Sequence, residues 1–219
     1  MRKIAIIGSS GAGKTTLARE LGEILQIEVI HLDRFFWRKN WTKKEADRTR
    51  KKQKRSIQKY AWIMDGSYHD TLELRLKAAD TVIFLDMPRL LCVWRVITRH
   101  FSRSPRPDLQ PKCSDRLDWA FIKKVWDFPR VDRPILISKI QNLGTDQQVI
   151  WLHSRKAVKN YLREVREKQA VPERQMASKF LREVHEKQAI PERQMVSSVE
   201  KEPTRELVPA AVVYATNIC

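Results

Sequence analysis

The octapeptide Gly8-Ser9-Ser10-Gly11-Ala12-Gly13-Lys14-Thr15 constrains this chain more than any other segment. It fits the pattern G-x-x-x-x-G-K-[ST], and its flanks fit as well. The apolar run Lys3–Ile7 precedes it, and Thr15–Leu25, with helical periodicity, follows it. A strand that feeds a glycine-rich turn and opens a helix is the setting in which this pattern cradles phosphate. Glycines let successive backbone N–H groups curl around anionic oxygens, and the helix start adds partial positive charge. The candidate nucleotide-binding residues are therefore Gly8, Ser9, Ser10, Gly11, Ala12, Gly13, Lys14, Thr15 and Thr16. In such a loop the lysine, here Lys14, reaches the β- and γ-phosphates of ATP, and the Thr15 hydroxyl ligates Mg²⁺. The alternative is a chance match in a glycine turn, and the strand and helix on either side argue against it.

Five short runs read as strands: Lys3–Ile7, Glu28–Leu32, Ala61–Met64, Thr81–Leu85 and Gln148–Leu152. Each is nearly all apolar, and helical sequence separates it from the next. That pattern belongs to a buried parallel sheet with helices on both faces, an α/β architecture. Ligands of open α/β sheets sit beyond the carboxyl ends of the strands. Four of the runs end there in Gly8, Asp33, Asp65 or Asp86, which converge on one rim.

Three of these are carboxylates, and their roles differ. Asp65 follows Trp62-Ile63-Met64 and precedes Gly66; Asp86 follows Val82–Leu85. Both fit the loose pattern of an apolar strand ending in the aspartate that supports Mg²⁺ in P-loop proteins. Gly66 permits close approach of a phosphate or substrate, which favours Asp65. Asp33 lies across the rim, where a carboxylate can accept or orient the proton of an acceptor hydroxyl, or simply cap a helix. His31 is expected to face packed structure. Trp37 and Trp41 suit either stacking on a planar substrate or ordinary packing.

Arg95, Arg99 and Arg103 recur every four residues and line one helix face. Arginines that close over a transferring phosphoryl group stabilise its charge, so these three are candidate catalytic residues beside Lys14 and Asp33. A solvated basic face is the alternative. Arg75 and Arg130 are further candidates without a spacing argument, Arg75 on the acceptor side.

The formal net charge of +17 calls for an anionic partner. Most of the excess precedes residue 155, and it is densest between Arg38 and Lys59, where Glu45 and Asp47 are the only acids. A substrate-phosphate site, a nucleic-acid contact or a solvated helix face would each account for it. The cysteines, Cys92, Cys113 and Cys219, are odd in number and lack paired spacing, which suits a reducing cytoplasm. No apolar stretch approaches membrane-spanning length.

The composition changes near residue 155, which divides the chain into a domain over 1–155 and a charged tail over 156–219. Leu162–Met176 and Leu181–Met195 are near-identical copies, differing only at Arg166/His185 and Val171/Ile190. Two copies are too few for a solenoid, and a mobile, duplicated tail of short charged helices is the expectation.

The chain resembles the adenylate-kinase-like P-loop kinases, and within them the DNA topology modulation (FlaR-related) group. The carrying segments are Gly8–Thr16, Val29–Trp37, Trp62–Tyr68, Leu74–Arg89 and Cys92–His100, with the later RPDL and WDFPR; they lie within about residues 1–155. The resemblance implies a three-layer P-loop sandwich whose five-stranded parallel sheet has the order 2-3-1-4-5. It implies ATP and Mg²⁺ at the loop, an acceptor near Asp33, Asp65 and Gly66, and a helical lid carrying Arg95, Arg99 and Arg103. The order also favours Asp65, because the third strand lies beside the first. Ser67 departs from the group, where asparagine is expected. Two functions follow as expectations: phosphoryl transfer from ATP to a small, nucleotide-like or hydroxyl-bearing acceptor, or a nucleic-acid-associated ATPase affecting DNA topology.

Overall fold

A computed structural model of the protein describes residues 1–36, 46–101 and 118–170. The chain runs β1 (Lys3–Gly8), α1 (Lys14–Leu25), β2 (Val29–His31), α2 (Asp33–Phe36), α3 (Ala46–Ile57), β3 (Trp62–Asp65) and α4 (His69–Ala78). It continues with β4 (Thr81–Leu85), α5 (Arg89–Phe101), α6 (Trp119–Asp127), α7 (Asp132–Gln141) and β5 (Gln148–Leu152). The five strands form one sheet in the order β2-β3-β1-β4-β5, and every neighbouring pair is parallel. This is the α/β sandwich expected from the apolar runs. No helix among the described residues is long and apolar enough to cross a membrane.

The period of two along β1 divides the core. Ile4 and Ile6 face one layer, with Leu17 and Leu21 of α1 and Cys92 and Val96 of α5. Ala5 and Ile7 face the other, with Leu72 and Leu76 of α4 and Leu136 and Ile140 of α7. Buried aliphatic side chains of this kind contribute about 1.5–3 kcal/mol each. Both faces of the central strands are covered, so their sequences read as continuous apolar runs rather than alternating ones.

Register then decides which strand ends meet. Ile6 lies opposite Asp65, and His31 also lies opposite Asp65. Gly8 lies opposite Leu85, so Asp86 begins one step beyond the sheet. The carboxyl ends of β1, β2 and β3 thus form one edge of the rim, and those of β4 and β5 form the other.

The segment after β5 differs from the expected tail. Residues 155–170 are helical, with Leu162 and Val165 buried and Val158 and Tyr161 partly buried against the α1/α5 layer. The compact unit accordingly extends over Met1–Pro172 rather than stopping near residue 155. The charged composition hid this, because two apolar positions four helical steps or fewer apart suffice to seat one helix face. The second repeat copy lies outside the described residues.

Candidate functional site

The glycine-rich loop takes the backbone conformation its sequence dictates. Gly8 has φ 142° and Gly11 φ 79°, where a side chain is strained. Space forbids one too: a Cβ on Gly8 would lie 2.4 Å from the Leu85 carbonyl oxygen, and one on Gly11 2.3 Å from that of Cys92. The loop is therefore pressed onto β4 and α5 at these two points. Gly13 precedes α1, and the Leu17 amide bonds its carbonyl at 3.0 Å. Ser9 is buried, Ser10 and Gly13 are partly exposed, and Thr16 faces solvent in the first turn of α1.

Lys14 bends back into the loop, and its Nζ donates to the Ser9 carbonyl at 2.8 Å. Part of the side chain meets solvent, but the ammonium lies deep among protein atoms. That burial holds its pKa below the usual lysine value, against the opposing pull of Asp33 and Asp65. An anion placed beside this ammonium would offset its burial further.

Asp65 closes the other side. Its Oδ2 accepts from Thr15 Oγ1 at 2.8 Å, and its Oδ1 faces His31 Nδ1 at 2.8 Å. Thr15 gives its proton to Asp65, which turns the hydroxyl oxygen and the carboxylate to one another. Magnesium prefers oxygen ligands and takes several from phosphates and water, so one hydroxyl and one carboxylate suit it as the protein's share. These residues fit Mg²⁺ beside a bound nucleotide.

Asp86 occupies a different setting. Arg133 of α7 grips it with two nitrogens, Nε at 3.0 and 3.1 Å and Nη2 at 2.8 Å, and His153 lies 3.6 Å away. The carboxylate that meets Thr15 is that of Asp65.

On the acceptor side, Asp33 is the first residue of α2, and the Tyr68 hydroxyl donates to its Oδ1. Asp33 and Asp65 both act electrostatically on Lys14. Arg95 turns toward the loop, its Nη1 donating to the carbonyls of Ala12 at 3.0 Å and Gly11 at 3.3 Å. Arg99, one turn on, lies near enough to disfavour the charge on Lys14. Arg103, Trp37 and Trp41 lie outside the described residues, as does the 38–45 part of the basic stretch.

Arg75 takes a place other than the expected one at the acceptor. It is fully buried, and its guanidinium donates to the backbone carbonyls of Gly66 at 2.6 Å and Tyr68 at 3.2 Å. Burial lowers its pKa to about 10. It holds the Gly66–Tyr68 loop from beneath, and a substrate cannot reach it there. Gly66 itself commits its N–H to the Ile6 carbonyl at 3.1 Å. Arg130 is exposed in the turn between α6 and α7.

Two members of the site escaped the sequence. His31 was expected to face packing, and it faces Asp65 instead; the signal was its place at the end of a strand paired in register with β3. Ser67 Oγ donates to the Gly8 carbonyl at 2.8 Å and accepts from the Gly8 N–H at 2.9 Å. It pins the first residue of the phosphate loop to the loop after β3.

A family model described as an AAA domain matches residues 4–99. No curated protein matches the chain. Among solved structures, a shikimate kinase from Acinetobacter baumannii in complex with shikimate is 19% identical, over 75% of this chain and 90% of that one, with a TM-score of 0.50. A gluconokinase from Sinorhizobium meliloti 1021 is 10% identical, over 81% of this chain and 97% of that one, at 0.46. A shikimate kinase from Bacteroides thetaiotaomicron is 18% identical, over 75% and 96%, at 0.42. At 19% identity, the likeness to the first of these three speaks to the fold alone.

Proposed function

We propose that the protein is a kinase that transfers the γ-phosphate of ATP to a hydroxyl of a small molecule. The observation that carries this reading is the Thr15–Asp65 pair beside Lys14, with Asp33 across the same cleft. Lys14 and the loop amides bind the phosphates, and Thr15 and Asp65 hold Mg²⁺. The ion, when bound, offsets charge on the phosphate oxygens. Asp33, held by Tyr68, accepts the proton of the attacking hydroxyl or orients it. Arg99 and Arg103, with Arg95 bracing the loop, counter the charge that develops on the transferring group. The FlaR-related kinship and a cytoplasmic location, the latter read from the cysteine pattern, belong to this proposal.

A screen of nucleoside monophosphates and small polyhydroxy acids for acceptor-dependent ADP release tests it. An authentic acceptor raises ADP release well above the acceptor-free level, and Lys14→Ala lowers the rate by about 10²–10³-fold. No acceptor-dependent release above the Lys14→Ala level would overturn it.

One observation favours the second reading, a nucleic-acid-associated ATPase. Helix α3 turns Thr49, Gln53 and Ser56 inward and exposes Arg48, Arg50, Lys51, Lys52, Lys54 and Arg55. Phosphate-driven binding there would weaken steeply with salt. Absence of duplex retention at low salt ends this reading and leaves the first untouched.

A further inference from the structure

Asp65 has more suitors than a carboxylate can serve. It is 5% exposed, and four groups compete for it. Thr15 and His31 each hold one oxygen at 2.8 Å. Lys14 and Arg75 both feel its charge. Arg75 is the strongest rival, because it is permanently charged, fully buried, and its Nε has no hydrogen-bond partner among the described residues. A buried, unpartnered N–H on a guanidinium attracts any carboxylate that can turn toward it.

We propose that His31 is a positioning residue, which by donating Nδ1–H to Oδ1 of Asp65 keeps this carboxylate turned to Thr15 and away from Arg75. The backbone places it for the task. His31 lies opposite Asp65 in the parallel pairing of β2 with β3, so its reach is fixed by the sheet and not by a loop. The ring is only about one-tenth exposed (10%), so water competes weakly for the contact. Without it, Asp65 has one partner fewer holding it in place against the pull of Arg75, and the bond it accepts from the Thr15 hydroxyl is less fixed. The damage would fall on metal-dependent nucleotide binding, not on the phosphate cradle, which is built of backbone amides and Lys14.

The inference rests on the site reading proposed above, and the test separates the two. ADP affinity is measured by calorimetry in EDTA and in Mg²⁺, for the wild type, His31→Ala and His31→Asn. An asparagine amide can reach Oδ1 from nearly the position of Nδ1. The wild type is expected to bind ADP more tightly with Mg²⁺. His31→Ala should lose about 10-fold or more of that enhancement, in line with the loss of outer-shell partners elsewhere, while its affinity in EDTA stays within about twofold. His31→Asn should recover most of the enhancement. A merely structural histidine would lower thermal stability, or affinity in both buffers, and leave the ratio unchanged. An unchanged ratio in His31→Ala, or equal loss in His31→Asn, overturns the positioning role. A wild type without Mg²⁺-enhanced ADP binding overturns the site reading itself, and the positioning role with it.

Discussion

Strands β3 and β4 both end an apolar run in aspartate, and the two carboxylates end in opposite circumstances. Asp65 meets a hydroxyl, a histidine and the field of Lys14, and among the described residues no guanidinium fork grips it. Asp86 is clamped by one edge of the Arg133 guanidinium, Nε and Nη2 together, with His153 beside it. Similar strand endings therefore give one carboxylate that meets the start of α1 and one held by α7. The difference lies in register, since β3 and β4 both flank β1: Asp65 is itself a paired residue, opposite Ile6, and falls beside the start of α1. Asp86 starts past the last paired residue and turns to α7 and β5. A strand beside β1 thus brings its terminal aspartate to the start of α1 only where the register ends it there.

Matched substitutions put the largest strain on this comparison. Asp65→Asn keeps the shape and removes the charge that a metal needs, and should lower kcat/KM by about 10²-fold or more while leaving the fold intact. Asp86→Asn should leave kcat/KM within a few-fold and lower stability by about 1–2 kcal/mol, because it weakens a charge-assisted pair whose arginine can still reach solvent. Steady-state kinetics and urea unfolding on both variants decide the matter. Equal kinetic damage from the two would remove the distinction between the strand ends.

What the sequence made legible, and what it did not, follows the same division. Apolar runs and the glycine pattern are local, so the five strands, the phosphate loop and the helix after it could be read directly. Asp65, Asp33 and Lys14 stood out because each ends or follows such a run. His31 did not, since its partner is 34 residues away and only the register of β2 on β3 brings them together. Arg75 looked like an open cation, and only tertiary structure buries it beneath the Gly66 turn. A short charged helix with Leu162 and Val165 on one side was expected after residue 155, but its packing was not, because those apolar positions are few though well placed.

Ser67 offers a finer probe of why the β3 end belongs to the site. Its hydroxyl both donates to and accepts from the backbone of Gly8, joining the two loops that flank the cleft. Ser67→Ala leaves a part-buried N–H and C=O without this partner, at a cost of about 1–2 kcal/mol. Because Gly8 opens the phosphate loop, part of that cost should appear as a roughly 3–10-fold weaker ADP affinity, measured by calorimetry. A variant that loses stability but binds ADP as the wild type does would make Ser67 a scaffold residue, akin to Arg133.

The smallest expected effect concerns stability without ligand, and it separates a group held for a ligand from one held for the fold. Burial lowers the Lys14 pKa, so folding disfavours its charged form. The sign then follows from linkage. Below the lowered pKa, the folded protein carries the full penalty; as pH rises from there toward the unfolded value of 10.5, the penalty fades. Lys14→Met removes the charge while keeping most of the apolar stem. It should stabilise the ligand-free protein by about 1 kcal/mol at neutral pH, as replacement of a functional group often does. The advantage over the wild type should shrink as the pH approaches 10.5, a comparison that cancels other groups titrating in the alkaline range. Unfolding curves for both proteins across that range test the point. A destabilised Lys14→Met at neutral pH would mean that the bond to the Ser9 carbonyl outweighs the burial of the ammonium, and that Lys14 serves the scaffold as Arg133 does.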